Sequence, residues 1–216
     1  MKTSDEEFPP PQGLMMNRIA CIGLALLLTC SSAGHAVAQS MGSSYTSTAS
    51  KDCRRIGKPS ELDGSTTRVC PGKNGLVVLI AEDDLREIVS VGRNRKQAAE
   101  EPAANVWFAP FNSSETTVEW RSSGNKPFAI IQRWHIADSS DPDKQGRPNT
   151  KAMLTVTRLP PGPVCHVAYV DAIANPAANE LARKAADDLA RGFTCGKDEV
   201  KIIGTRGRAV ELATMR

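Results

Sequence analysis

The stretch Val164–Cys195, VCHVAYVDAIANPAANELARKAADDLARGFTC, decides the fold that the sequence predicts. Its first part, Val164 to Ala172, is rich in apolar and β-branched residues, which is typical of a strand. Asn175 followed by Pro176 marks a helix start, and we expect the helix to run to Gly192 with Asn175 as its N-cap. Alanine and leucine recur along it at helical spacing and give it one apolar face. The stretch therefore predicts a helix that packs back onto a sheet.

The lengths of this strand and helix bring two cysteines together. Each element extends roughly 23 to 24 Å, so a helix folded back along the strand returns Cys195 to the neighbourhood of Cys165. Four cysteines allow three pairings, and this argument favours Cys165 with Cys195, which leaves Cys53 for Cys70. None of them stands in a C-x-x-C motif, which argues against a redox or metal-binding pair.

Elsewhere in the chain, apolar runs bounded by turn residues predict further strands. These are Thr66–Cys70, Leu76–Ala81, Leu85–Val91, Val118–Ser122, Phe128–Ala137 and Ala152–Leu159, with Val200–Ile203 and Ala209–Ala213 as two closing strands. Between them, Gln97–Glu101 is expected to form at most one or two helical turns. The predicted fold class is α+β: a mainly antiparallel β-sheet with one long C-terminal helix packed on it and two disulfides.

Residues 1–38 have the layout of a secretory signal peptide. The uncharged run Ile19–Leu28 is half the length that a membrane span needs, and small residues follow it. Cleavage is expected after Ala38 because Ala36 and Ala38 supply the small side chains that a signal peptidase requires. Residues 1–15 are acidic and proline-rich, and we interpret them as an extension upstream of the true start codon.

An alternative reading of the same region is a lipoprotein signal, in which Leu27–Cys30 places an acylated Cys30 at a membrane surface. In either case the segment 39–52, rich in serine and threonine, is expected to be a flexible leader. A single α+β domain is expected over 53–216. It contains four cysteines, and an even number in an exported chain predicts a disulfide framework.

The composition excludes several classes of protein. With 216 residues, 40% of them apolar, the chain is too hydrophobic to be a disordered tail protein. Loss of residues 1–38 would remove two cationic and three acidic side chains, so the formal net charge would rise from +3 to +4. This charge is too weak to argue for nucleic-acid binding. It is compatible with an envelope component or an acidic protein as partner.

The loop Asp141–Gly146, DPDKQG, is a candidate calcium site. Asp141, Asp143 and Gln145 occupy alternate positions and a glycine is sixth, as in calcium-binding loops. Gln145 is neutral where an acid or asparagine is usual, and Ala152 stands where a bidentate glutamate is expected. A polar turn between two strands accounts for the same residues, and no cofactor is predicted.

His135 is the candidate base for a hydrolase. Together with Asp138, Ser139 and Ser140 it supplies the residue types of a catalytic triad, although they are adjacent in sequence. The chain has no G-x-S-x-G nucleophile motif. His166, next to Cys165, is interpreted as structural. The sequence therefore favours a non-catalytic protein and leaves a hydrolase as an alternative.

Basic segments provide a second hypothesis, an inhibitor or interaction module for an acidic partner. Three segments either converge into one patch or remain separate solvated loops: Arg54–Arg55, Arg93–Lys96 and Arg206–Arg208. Three tryptophans either line a ligand cleft or, as we expect, lie mostly in the core: Trp107, Trp120 and Trp134.

Three stretches together carry a resemblance: LIAEDDLREIVSVGRNR, FAIIQRWHIADSSDPDKQGRPN and RLPPGPVCHVAYVDAIANPAANELARKAAD. From Lys51 onwards the chain resembles a group of small exported proteins of unknown function from alphaproteobacteria. The resemblance implies an envelope location and transfers no catalytic residues. The function expected from sequence is that of an exported, disulfide-stabilised, non-catalytic binding or envelope-associated protein.

The intact mass of the protein recovered from a bacterial periplasm tests this expectation. We expect a chain that begins at Gln39 and gains four hydrogens on reduction, two for each disulfide. A lipid-modified Cys30 would support the lipoprotein alternative instead. An uncleaved chain with free thiols would contradict export.

Overall fold

The computed structural model describes residues 40–57 and 65–215. The predicted signal peptide, the extension over 1–15, the cleavage site after Ala38 and the alternative anchor at Cys30 lie outside these residues. Among the described residues, no helix has the length and apolar character needed to cross a bilayer.

The described residues form ten strands and three α-helices. The strands are β1 (Met41–Ser47), β2 (Arg54–Ile56), β3 (Thr66–Pro71), β4 (Val77–Asp83), β5 (Arg86–Gly92), β6 (Asn112–Ser123), β7 (Lys126–Pro142), β8 (Pro148–Arg158), β9 (His166–Asp171) and β10 (Lys201–Ile202). The helices are α1 (Arg95–Glu100), α2 (Ala178–Leu189) and α3 (Arg208–Thr214). Short 3-10 turns lie at Ser50–Asp52 and Pro102–Asn105.

The strands make two sheets rather than the one expected. A six-stranded sheet has the order β1-β6-β7-β8-β9-β10, and a four-stranded sheet has the order β2-β3-β4-β5. All pairs are antiparallel except β9 with β10. A mainly β structure with added helices agrees with the coarse α+β prediction.

Both faces of the six-stranded sheet are buried because its central strands carry apolar residues on both sides. One face places Ala129 and Ile131 of β7 in a core with the alanine-rich side of α2, which includes Ala182 and Ala186. Small alanine side chains let the helix approach the sheet closely. This confirms the prediction that a helix from this stretch packs on the sheet.

The opposite face of the six-stranded sheet packs against the four-stranded sheet. Ile130 and Trp134 of β7 share a core with Val78 and Ile80 of β4, and α3 completes this core with Val210. Because successive residues of a strand point to opposite faces, β7 contributes to both cores in turn.

The outer face of the four-stranded sheet is covered by α1. Leu79 of β4 and Ala98 of α1 share a small third core. Gly92 makes this approach possible, since a Cβ at that position would lie 2.5 Å from the Ala98 backbone nitrogen. The continuous apolar run in β4 is thus explained by burial on both sides.

Both disulfides pair as the sequence favoured. Cys53 bonds Cys70 and ties the start of β2 to β3. Cys165 bonds Cys195 and ties the start of β9 to the segment after α2. Two disulfides indicate an oxidising, extracytoplasmic compartment.

The prediction of one long C-terminal helix is wrong. The helix α2 has 12 residues, ends well before the C-terminus and starts after Ala177, which makes no side-chain cap. Asn175 does not cap it, because the Asn175 amide donates to the Thr205 carbonyl and its Oδ1 accepts from Thr205 N, both at 2.8 Å. At the other end, a turn around Gly192 lets Cys195 fold back to the sheet.

The second closing strand, Ala209–Ala213, is also wrong, because this segment lies in α3. The buried Asp171 side chain accepts a hydrogen bond from Ala209 N at 2.9 Å in the first turn of the helix. A Cβ at Gly207 would collide with the Asp171 carboxyl group, so glycine permits this close contact. A carboxylate supplied by β9 thus stabilises the helix start.

The structure differs from the expected flexible leader over 39–52. Met41–Ser47 forms β1, which pairs with β6 along its whole length. Its hydroxyl groups hold it: Thr46 Oγ1 accepts from the indole of buried Trp120 at 2.8 Å, and Ser43 Oγ accepts from Arg121 at 2.7 Å. Polar anchoring of this kind leaves no apolar periodicity in the sequence, which is why the strand was not predicted.

Replacement of Thr46 by valine tests this anchoring. Valine has the shape of threonine but leaves the buried Trp120 N–H without a partner, so we expect a loss of about 1 to 3 kcal/mol in the free energy of unfolding. Urea unfolding of the oxidised protein measures it. Thr46→Ser keeps the hydroxyl and should lose clearly less; equal losses in the two variants would contradict the role of the hydrogen bond.

Candidate functional site

A cleft of about 890 Å³ opens where the ends of several elements meet. Its walls come from the β3–β4 turn, the β6–β7 turn, the connection between β8 and β9, and the residues that follow β5 and α2. This volume lies in the range of small-molecule binding sites, which is about 300 to 1,000 Å³.

All the charged residues that line the cleft are cations. Arg93, Lys126, Arg158 and Arg191 face it, and no aspartate or glutamate among the described residues lines it. None of the four forms a salt bridge with a carboxylate in the part of the chain that the structure describes. Four like charges around one concave surface create a local positive potential.

Arg158, at the end of β8, is the most enclosed of these cations. It is half-buried, and its Nη2 donates to the Pro161 carbonyl at 2.7 Å. Its Nη1 lies 4.0 Å from Cys195 Sγ, and its Nε is buried with no hydrogen-bond partner among the described residues. A guanidinium presents five N–H donors, and the Pro161 carbonyl is the only oxygen among the described residues that accepts from this one. The group therefore retains unused donor capacity and an unneutralised charge.

Arg191 lies over an aromatic ring at the cleft. Its guanidinium carbon is 5.0 Å from the centroid of Phe128, a cation–π arrangement. The ring of Phe128 is almost fully buried and also lines the cleft. A positive charge and an apolar surface therefore meet at one point of the wall.

Hydrogen bonds hold both ends of the connection between β8 and β9, which follows Arg158. Leu159 N donates to the Phe128 carbonyl at 2.9 Å at the start of this connection. Near its end, Val164 N donates to the buried carboxylate of Glu101 at 2.7 Å. The connection is thus anchored at both ends on packed parts of the fold.

Ion pairs attach the helix that precedes Arg191 to the sheet. Arg121 of β6 makes a bidentate pair with Asp187 of α2, with Nε–Oδ1 at 3.0 Å and Nη2–Oδ2 at 2.6 Å. Arg183 of α2 donates to Glu119 of β6 at 2.7 Å. Because β6 leads into the turn before Lys126, the same contacts position two sides of the cleft.

The structure places the candidate calcium residues in the β7–β8 hairpin. Asp143 accepts from the backbone nitrogens of Gln145 and Arg147, both at 2.9 Å, and Arg147 also forms a salt bridge with it. Asp141 forms a salt bridge with Lys151. The hydrogen bond from Arg147 lowers the pKa of Asp143, and the one from Lys151 lowers the pKa of Asp141. These carboxylates thus stabilise the turn through hydrogen bonds and salt bridges. Within residues 40–57 and 65–215, no three side chains of His, Cys, Asp or Glu are grouped so that they could bind a metal ion.

The structure does not assemble the candidate triad, because the His135 side chain contacts Glu115 whereas Asp138 and Ser140 bond each other. His135 lies on a partly exposed sheet surface, with its Nε2 at 3.2 Å from Glu115 Oε1. Asp138 is buried, and its carboxylate binds the side chains of Arg208 and Ser140. The hydrogen bond from Arg208 lowers the pKa of Asp138. His135 therefore has a carboxylate neighbour other than the one that the sequence suggested.

Of the three basic segments, one contributes to the cleft, through Arg93. Arg54 lines a neighbouring depression, Arg55 lines another, and Arg208 pairs with Asp138. The tryptophan prediction is confirmed for two of three, because Trp120 and Trp134 are buried whereas Trp107 is 58% exposed.

Sequence reasoning missed the cleft itself. Lys126 and Arg158 are isolated cations next to turn residues, and Arg191 follows a helix rich in charged residues. The only sequence signal at this site was the basic run that begins at Arg93. The other three cations become neighbours only through the packing of α2 and of the two sheets.

Comparison of the chain with protein-family models, with curated proteins and with solved structures finds no match.

His166 is a buried group that makes stability depend on pH. Its Nδ1 lies 2.9 Å from the Tyr169 hydroxyl, and Phe108 stacks against its ring. Burial lowers the pKa of His166 to about 4 from the usual 6.5, and burial raises the pKa of Tyr169 to about 12. His166 is therefore neutral in the folded protein at neutral pH.

We expect the protein to lose stability between pH 6.5 and pH 4 because of His166. In this window the unfolded chain binds a proton that the folded protein does not, so the free energy of unfolding falls by about 3 kcal/mol in total. Chemical unfolding as a function of pH measures the loss. His166→Gln should flatten the profile in this window and the partly exposed His135→Gln should not; unchanged slopes in His166→Gln would contradict the assignment.

Proposed function

We propose that this chain is an exported, non-catalytic binding protein and that the cationic cleft holds an anionic ligand. The observation that carries the proposal is the set of four cleft cations, Arg93, Lys126, Arg158 and Arg191, none of which forms a salt bridge among the described residues. Holding like charges together, one of them half-buried, costs free energy. A bound anion offsets that cost.

Arg158 is the residue around which the anion binds. Its planar fork of donors matches the two oxygens of a carboxylate, sulfonate or phosphate group. The bond to the Pro161 carbonyl holds the guanidinium in one orientation at 2.7 Å. A preoriented donor loses less side-chain entropy when the ligand binds.

The concave shape favours a small ligand over a large acidic partner. A module that docks onto an acidic protein needs basic residues spread over an exposed surface, and the three basic segments do not converge on this one. A hydrolase would need a base at the site, whereas His135 does not line the cleft.

Export is supported by the two disulfides and by the signal-peptide layout of residues 1–38. The proposed mature chain begins at Gln39, after cleavage at Ala38, with a lipid-anchored Cys30 as the alternative. The envelope location implied by the resemblance belongs to the same proposal. An anionic ligand would then be one that this compartment contains.

Melting temperatures in the presence of small anions test the binding proposal. Benzoate, benzenesulfonate and inorganic phosphate are compared with neutral benzyl alcohol at low ionic strength. We expect at least one anion to raise the melting temperature, since a ligand that binds the folded state stabilises it, and added salt to weaken the effect.

Two charge variants make the test specific. Arg158→Gln should lose the response to the anion. Lys96→Gln removes an equal charge from an exposed helix position whose only salt bridge within the described residues is a 4.0 Å pair with Glu100, and it should respond as wild type does. If no anion acts, or if Arg158→Gln responds fully, the cleft is not an anion site.

A further inference from the structure

We infer that the ligand of the cleft is an amphipathic anion, a single carboxylate or phosphate head on an apolar body. This inference rests on the proposed function and adds the chemical class of the ligand. It comes from the uncharged residues that line the cleft together with the four cations. Most of these are apolar and come from three different segments: Leu76, Pro127, Phe128, Leu159, Pro160 and Pro161.

The apolar residues form a surface that a hydrated anion does not use. Proline has no backbone N–H, so Pro127, Pro160 and Pro161 supply no main-chain donors to a phosphate. Sites for fully hydrated oxyanions usually add backbone N–H groups to their cations. The apolar part of the lining is of the kind that buries hydrocarbon.

Arg191 and Phe128 lie where the charged head of the inferred ligand would join its apolar body. The guanidinium of Arg191 lies 5.0 Å from the ring centroid of Phe128, so a charged group bound at Arg191 is close to an aromatic side chain. Arg158 stands next in sequence to Leu159 and is held by Pro161, both of which line the apolar part. Each of these two arginines thus sits beside an apolar wall.

The volume of the cleft leaves room for a ligand larger than a simple oxyanion. About 890 Å³ exceeds what one bare phosphate or acetate requires and accommodates a molecule with a body of several carbons. A long polyanion needs none of the apolar surface, and its successive charges would have to pass over the prolines. A monoanion with an apolar chain uses both parts of the cleft at once.

Isothermal titration of the full, oxidised chain with acetate, hexanoate and decanoate tests the inference. We expect the affinity to rise about two- to fourfold per methylene group, because each one leaves water for the apolar wall. Hexanol, which lacks the charge, should bind more weakly than hexanoate. Polyphosphate, which lacks the apolar body, should bind more weakly than decanoate.

Variants tie the chain-length effect to the cleft. Arg158→Gln should lower the affinity for each carboxylate by about tenfold or more, as expected for a lost charged hydrogen bond. Lys126→Gln, on an exposed turn, should lower it by a smaller factor and guards against a folding defect in the first variant. Lys96→Gln is the matched control and should bind as wild type does.

The outcomes separate this inference from the proposal on which it rests. Anion binding that needs Arg158 but is independent of chain length, or that is tightest for polyphosphate, would overturn the amphipathic ligand and keep an anion site. If no ligand binds in a way that depends on Arg158, both the amphipathic ligand and the proposed anion site are overturned. A chain-length effect unchanged in Arg158→Gln would mean nonspecific adsorption and would also overturn the inference.

The same chemistry has two possible sources, a free amphiphile or a lipid in a membrane. Sedimentation with phosphatidylglycerol vesicles distinguishes them once decanoate binding is established. Sedimentation that decanoate competes away and Arg158→Gln abolishes would identify a lipid source. Decanoate binding without sedimentation would identify a soluble amphiphile, and either result satisfies the inference.

Discussion

Burial of the six-stranded sheet on both faces is the constraint on which the rest of this structure depends. Along β7, Ala129 and Ile131 enter the core with α2, while Ile130 and Trp134 enter the core with the four-stranded sheet. A shift of one residue in the register of β7 would exchange these two sets, so that each would face the core in which the other set packs. The strand ends and turns are therefore set in place by the packing behind them, and the cleft is built from such ends.

The arginines of the scaffold and those of the cleft differ in whether they have carboxylate partners. Arginines that link different parts of the scaffold have carboxylate partners: Arg68 with Glu87, Arg121 with Asp187 and Arg183 with Glu119. Pairing of this kind offsets the cost of removing a charge from water. Arg158 is half-buried without such a partner among the described residues, and this difference is the basis of the proposed anionic ligand.

Local sequence signals predicted the elements whose residues are buried according to a regular pattern. Most strands and the packing side of α2 follow from apolar spacing, and the Cys165–Cys195 pair follows from the lengths of two elements. The signals failed where polar contacts decide. β1 is held by hydroxyl groups such as that of Thr46, and α3 starts on a carboxylate that Asp171 supplies from a distant strand. Neither partner is visible from the segment itself.

The sequence by itself determined the class of fold, the disulfide framework and the identity of the charged residues, because these depend on local spacing and on residue chemistry. Only the tertiary structure decided which charges meet. Arg93 and Arg191 are far apart in the chain, and they line one cleft because α2 folds back along β9 and the two sheets pack together. The separation of His135 from Asp138 has a local cause instead: both lie in β7, where positions an odd number of residues apart face opposite sides of the sheet.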